Sequence, residues 1–210
     1  MDPRVTQVFP TEEYFSITWE LGRRCNYDCM YCGPQWHDST SKHKSLAELQ
    51  SAWRGIYEQS RYLGLKYKIS FTGGEVTGNR NFYPFVQWLR AEYADSIGQI
   101  LLTTNGSATY KYYARLFEVV DNISFSTHSE HMDEQKFFDT VIKLKQTINS
   151  HKFIHVNIMN ESWNQTRIPA YQALLSEHNI SHNVNEIDYT QQTRTIPIMK
   201  GKLNLAIPDA

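Results

Sequence analysis

Residues 25–32 read Cys25-Asn26-Tyr27-Asp28-Cys29-Met30-Tyr31-Cys32, and the rest of the chain is organised around them. The spacing is C-x3-C-x2-C, and these are the chain's only cysteines. A loop this short gathers three soft, anionic ligands, which suits a metal centre better than it suits packing. An odd number of cysteines cannot all pair as disulfides within one chain. A closed tetrahedral site needs four ligands, and the loop supplies three.

Two completions stand open on these residues alone. His37 extends the pattern to C-x3-C-x2-C-x4-H, the spacing of a Cys3His zinc site. Alternatively, a [4Fe-4S] cluster on three thiolates leaves one iron free to bind something else, and the missing ligand is the working feature.

The flanks narrow the choice. Residues 15–21 alternate like a strand and run into the loop. Tyr31 fills an aromatic slot before the last cysteine. Residues 69–75, Ile-Ser-Phe-Thr-Gly-Gly-Glu, form a second short strand ending in a glycine pair and an acid. With C-x3-C-x-aromatic-C after the first strand and Gly-Gly-Glu after the second, the chain resembles the radical S-adenosylmethionine (SAM) superfamily. Zinc leaves Gly73-Gly74-Glu75 unexplained.

The resemblance implies two cofactors, a [4Fe-4S] cluster on Cys25, Cys29 and Cys32, and SAM. The open iron binds SAM's amino and carboxyl groups, SAM is split by one electron, and a 5'-deoxyadenosyl radical abstracts hydrogen from the substrate. It implies that Gly73, Gly74 and Glu75 meet the amino group, a carboxylate opposite an ammonium being a sensible charge pairing. Asn105, in the strand ending Thr103-Thr104-Asn105-Gly106, belongs beside the same pocket. Ser126 and His128 alternate onto one face at the end of a later strand and are candidates for the ribose and carboxylate. Tyr31, Asn157 and Met159 complete the cofactor-binding candidates.

Composition agrees with an ordinary globular chain. Its 210 residues suit one domain with a sizeable core. The net charge of −1 gives no global field for nucleic acid, and no apolar run is long enough for a membrane span. Unpaired cysteines and a start without an apolar core point to a reducing cytoplasm. No cysteine remains for an auxiliary cluster. Lys42-His43-Lys44 is a small basic group, and most such groups are simply solvated.

Periodicity predicts six strands alternating with five helices: strands near 15–21, 67–71, 100–104, 123–127, 153–159 and 182–187, and helices near 45–63, 81–94, 108–119, 133–149 and 166–178. Ser45-Leu46-Ala47-Glu48 is a capping box, and Gly64 a natural stop. Such alternation on short connections reads as α/β with parallel strands. The resemblance makes it a single-domain, partial (β/α)6 TIM-like barrel over 15–188, preceded by an arm (1–14) and followed by a tail (189–210). Chemistry in such sheets sits at the carboxyl ends of strands, where each flagged signal falls. His155 and Asn157 line the cavity if their face of the strand is the interior. The polar segment 35–44, with His37 and His43, reads as a flap over the loop, and 160–164 as a substrate wall.

The aromatic content of 13%, the flap and the tail favour a ribosomally made precursor peptide as substrate, with splicease-like excision of a tyrosine-derived unit as the sharpest version. The partners expected are a small accessory protein for the precursor's leader and an electron donor. The alternatives are a small-molecule enzyme like the 7-carboxy-7-deazaguanine synthases, a glycyl-radical-activating enzyme, or a zinc-stabilised binding module without catalysis.

Overall fold

The computed structural model describes residues 13–33 and 35–189. Six strands, β1 (Tyr14–Glu20), β2 (Lys66–Thr72), β3 (Ile97–Thr104), β4 (Asn122–Ser126), β5 (Phe153–Asn160) and β6 (Ser181–Glu186), alternate with α1 (Leu46–Ser60), α2 (Phe82–Glu92), α3 (Tyr110–Leu116), α4 (Glu134–Thr147) and α5 (Ile168–Glu177). Every neighbouring pair of strands is parallel, and the sheet order is β1-β2-β3-β4-β5-β6. Parallel crossovers are right-handed, so strands added always on the same side keep every helix on one face. The result is an open, singly wound sheet, the partial barrel expected.

The helix-covered face is built from alternate apolar residues. Ile69 and Phe71 of β2, Ile100 and Leu102 of β3, Ile123 and Phe125 of β4, and Ile154, Val156 and Ile158 of β5 are all buried. Aromatic rings link this face to the helices: Trp19 stacks on Trp53 of α1 at 6.4 Å, Phe71 meets Phe85 of α2 at 6.0 Å, and Phe125 meets Phe137 of α4 at 6.2 Å. Trp53 is wholly buried, and truncating such a ring costs about 3–5 kcal/mol.

The other face is mostly hydrophilic. Ser16, Thr18 and Glu20 of β1, Lys68, Ser70 and Thr72 of β2, Thr103 of β3, Ser124 of β4, His155 and Asn157 of β5, and Ser181, Asn183 and Asn185 of β6 all reach solvent. Most all-parallel sheets are covered on both faces and read as continuous apolar runs. Here polar residues alternate along the strands, with Leu101, Phe153 and Met159 as apolar exceptions on the same face, and the inner face is a largely polar, sheet-lined trough.

Local signals place the element ends. Ser45 caps α1 as a full capping box, with Ser45 Oγ accepting from Glu48 N–H at 3.3 Å and Glu48 Oε2 accepting from Ser45 N–H at 2.8 Å. Gly64 adopts φ 66° after a short 3-10 turn, Arg61–Leu63. Leu63 sits in that turn, 41% exposed, and does not extend the apolar stripe of α1. Strand β3 begins at Ile97, earlier than apolar content suggests, because pairing of Tyr67 with Ile97 and Lys68 with Gln99 carries the ladder through Gly98-Gln99. Helix α3 is shorter than expected, starting behind the Thr109 cap and ending at Leu116. The expected arm and tail lie outside the described residues except Glu13, Tyr14 and Tyr189. Tyr14 already belongs to β1, and Tyr189 Oη accepts from Ser162 N–H at 2.8 Å.

Candidate active site

The cysteine loop is fixed at both ends. Where it leaves β1, Leu21 N–H donates to Thr72 O at 3.0 Å, Gly74 N–H to Gly22 O at 2.8 Å and Glu75 N–H to Arg24 O at 2.9 Å. At its far side Cys25 N–H donates to Asp38 O at 2.8 Å and Asp38 N–H to Arg23 O at 2.9 Å. The glycine pair is required by this docking. A Cβ on Gly73, which has φ 128°, would lie 2.5 Å from Gly22 O, and one on Gly74 would lie 2.3 Å from Arg24 O. The glycines bring backbone close to backbone, which seats the loop on the end of β2.

Glu75 lies one step behind. Its carboxylate is buried and accepts four hydrogen bonds: from Thr77 N–H at 2.9 Å, Thr77 Oγ1 at 2.6 Å, Thr104 Oγ1 at 2.8 Å and Asn105 N–H at 2.7 Å. Burial pushes its carboxyl above the ordinary range, and these donors oppose the shift. Glu75 is absent from the lining of the cavity described next; it ties the end of β2 to the end of β3, whereas the sequence suggested a direct charge pairing with an amino group.

A cavity of about 250 Å³ opens at the carboxyl ends of β1–β4. Cys25, Cys29, Cys32 and Tyr31 form one wall; Thr72, Gly73 and Gly74 follow β2, Thr103, Thr104 and Asn105 follow β3, and Ser126 and His128 follow β4. Trp36, 54% exposed, and His37 also border it. Of the residues singled out from sequence, Tyr31, Gly73, Gly74, Asn105, Ser126, His128 and all three cysteines meet here. Asn157 and Met159 stand behind: Asn157 Nδ2 donates to Ser124 Oγ at 2.9 Å and lies 3.5 Å from Ser126 Oγ, and Met159 N–H donates to Thr127 Oγ1 at 3.0 Å. His155 is on the inner face, bonded to Ser181 and Asn183.

The electrostatics of the loop suit a cationic centre. Burial pushes the Cys29 thiol far up, with the Glu130 and Glu161 carboxylates adding to it. Burial likewise raises Cys25 and Cys32. Three half-buried to buried thiols that resist ionisation beside carboxylates are costly as thiolates unless a metal takes the charge. Asn105 Nδ2 lies 3.9 Å from Cys25 Sγ and donates to Asn26 Oδ1 at 3.0 Å, and Tyr27 N–H lies 3.4 Å from Cys25 Sγ. His37 Nε2 meets Asp28 Oδ1 at 2.9 Å.

The segment after β4 contributes more than the sequence suggested. His128 Nδ1 lies 3.6 Å from Cys29 Sγ and is hydrogen-bonded to the Tyr31 hydroxyl, with the two rings stacked. Burial holds His128 down at about 4, so it is neutral at physiological pH. Glu130 Oε2 accepts Met30 N–H at 2.8 Å, and His131 stacks on Tyr27 at 5.3 Å. The ligand atoms of Cys29, Glu130 and His131 all lie within 4.8 Å of one another. Glu161, from the expected substrate wall, is fully buried and accepts from Ser129 N–H at 2.9 Å and Asn164 Nδ2 at 3.1 Å. Two histidines three apart, His128 and His131, were the available signal for this shell. Glu130 and Glu161 had none, because their role depends on contacts about 100 and 32 residues away.

Known proteins bear on this site. A profile described as the Radical SAM superfamily matches residues 19–162, which include the loop, the glycine pair and the ends of β1–β5. The GTP 3',8-cyclase of Pasteurella multocida is 31% identical over 93 residues, 44% of this chain and 26% of the cyclase. Among solved structures, Streptococcus suis SuiB bound to the precursor peptide SuiA aligns over 87% of this chain and 42% of SuiB, with a TM-score of 0.62 and 14% identity. SuiB solved without the peptide aligns similarly, with a TM-score of 0.62 over 90% of this chain. The chain thus spans well under half the length of these relatives. Among the described residues no helix is long and apolar enough to cross a membrane.

Proposed function

The chain belongs to the radical SAM superfamily, an enzyme family whose cofactors are a [4Fe-4S] cluster and SAM, and from that premise we propose that it modifies a ribosomally made precursor peptide. Splicease-like excision of a tyrosine-derived unit is the specific reaction we favour. When bound, the two cofactors supply one-electron cleavage of a sulfonium and hydrogen-atom abstraction from carbon.

In this reading Cys25, Cys29 and Cys32 hold the cluster. The backbone of Gly73-Gly74, the Asn105 amide and the Ser126 hydroxyl line the space for SAM's polar groups, and Tyr31 and neutral His128 close the wall beside Cys29. Glu75 acts by positioning Asn105 and the loop. Asn157 braces Ser126 from β5. Exposed Trp36 borders the same cavity.

The observation that carries the substrate class is the largely polar inner face of the sheet. It runs past the cavity across all six strands, offering hydroxyl and amide side chains suited to an extended chain with its own backbone donors and acceptors. A leader-recruiting accessory protein and an electron donor complete the proposed partners.

The test is anaerobic incubation of the reconstituted protein with SAM, reductant and tyrosine-containing precursor peptides, followed by mass measurement. Loss of a tyrosine-derived unit is expected. Turnover of a purine-like or other small substrate, with every peptide unchanged, would favour the deazaguanine-type alternative.

A further inference from the structure

Glu20 is the last residue of β1. Strand pairing sets it opposite Thr72, and Leu21 N–H donates to Thr72 O at 3.0 Å, so the backbone that carries it is fixed in the sheet. It shares the inner face with Ser16 and Thr18, reaches solvent, and borders the same cavity as the three cysteines.

No other Asp, Glu, Lys or Arg lines that cavity among the described residues. Among the same residues the Glu20 carboxylate has no hydrogen bond and no ion pair. The charges near it in the chain are engaged elsewhere. Glu75 is turned to Thr77, Thr104 and Asn105, and Asp28 meets His37 at 2.9 Å. Arg23 lies 3.7 Å from Asp38, and Arg24 Nη1 donates to Ser41 O at 3.3 Å. Lys68 is on the inner face, but it pairs with Ser16 while Glu20 pairs with Thr72, so the two levels are about 13 Å apart along β2.

A carboxylate held on a rigid strand, open to solvent and beside a cavity lined by no Lys or Arg, is half of an ion pair. Tyr27, Tyr31 and Trp36 border the same space, and aromatic faces also favour cations. An anionic group is repelled here, and a neutral donor gains less than a charged one.

We propose that Glu20 selects a substrate bearing a positive charge close to its reacting carbon. This rests on the peptide reading above, in which the charge is a lysine or arginine side chain next to the modified residue. The ammonium or guanidinium donates to the Glu20 carboxylate, and no bond is made or broken there. Such a contact acts mainly on choice, because the carboxylate repels a like charge as well as attracting the opposite one.

The experiment measures binding without reductant, so that nothing turns over. The whole chain, reconstituted anaerobically and loaded with SAM, is titrated with three labelled short peptides, identical except for Lys, Gln or Glu beside a central tyrosine. Tyramine is the small-molecule probe. Wild type is expected to bind the Lys peptide about tenfold more tightly than the Gln peptide, and the Glu peptide more weakly still. Glu20→Gln should erase most of the Lys preference, and Glu20→Lys should reverse the order in favour of the Glu peptide. Both variants should keep the wild-type melting temperature and SAM affinity, because the side chain makes no bond in the folded protein. Equal affinity of wild type for the three peptides would overturn the proposal, and so would a Lys preference retained in Glu20→Lys. A loss of SAM affinity in Glu20→Gln with the peptide order unchanged would overturn it too, assigning the carboxylate to SAM's ammonium. If no peptide binds but tyramine does, and Glu20→Gln abolishes that binding, the charge selection stands and the peptide reading falls. If wild type binds neither the peptides nor tyramine, the proposal falls.

Discussion

The Glu75 carboxylate accepts the Asn105 backbone N–H at 2.7 Å, and through this bond the turn after β2 is tied to the end of β3. Its two oxygens each face a backbone N–H, Oε2 that of Asn105 and Oε1 that of Thr77 at 2.9 Å. Neither donor can rotate away. Glu75→Gln therefore sets an amide NH2 against a backbone N–H whichever way it turns. We expect a loss of about 2–3 kcal/mol, read by urea or thermal unfolding, because a buried donor left without its acceptor costs this much. An unchanged midpoint would show that the carboxylate does not hold these two turns together.

The glycine pair gives a contrast between two alanine substitutions. A Cβ on Gly74 would lie 2.3 and 2.4 Å from the Arg24 and Arg23 carbonyl oxygens, which are backbone and cannot step aside without moving the loop. Gly74→Ala should lower both thermal stability and the iron retained after reconstitution. Gly55, inside α1, has nothing within 4 Å of the added carbon. Gly55→Ala should stabilise the protein by about 0.5–1 kcal/mol through the better helix propensity of alanine. Iron content equal to wild type in the Gly74 variant would contradict the docking role assigned to that residue.

Glu161 makes stability depend on pH. Burial pushes its carboxyl up to about 7, against the opposing donors of Ser129 and with the help of Glu130. The unfolded chain returns it to about 4.3. Between those values the folded state binds the proton and the unfolded state does not, so this group's contribution is complete below about 4.3 and is lost as pH rises through 7. Glu161→Gln removes that dependence. In metal-free protein, the melting temperature of the variant relative to wild type should rise from pH 4.5 to pH 7 and level off above. A difference that stays flat across that range would mean Glu161 is ionised throughout.

Much of this was legible in the chain. Alternation with helical intervals gave six parallel strands, and the family resemblance, not the alternation, supplied the barrel-like arrangement that the sequential order of the sheet realises. The cysteine loop, Gly73-Gly74, Asn105, Ser126 and His128 could be placed together because each follows a strand, and parallel strands bring their ends to one side. Two things were not legible. Glu75's role depends on which way one carboxylate turns: toward Thr77, Thr104 and Asn105, and away from the cavity. The Glu130 contact to Met30 and the Glu161 contact to Ser129 join distant segments, and no local pattern marks a residue whose partner lies on another strand's loop. The start of β3 at Ile97 was hidden for a similar reason, since Gly98-Gln99 is held in the sheet by its neighbour and not by its own propensity.

What the three cysteines hold decides the chemistry of this site. The direct measurement is anaerobic reconstitution of wild type and Cys29→Ala, followed by iron and sulfide analysis and by EPR of the reduced protein with and without SAM. The prediction is a brown wild-type protein with iron and sulfide in equal amounts and a reduced-cluster signal that shifts when SAM is added, with all three lost in Cys29→Ala. A colourless protein that retains zinc through His37 and the cysteines, with no iron and no response to SAM, would contradict it.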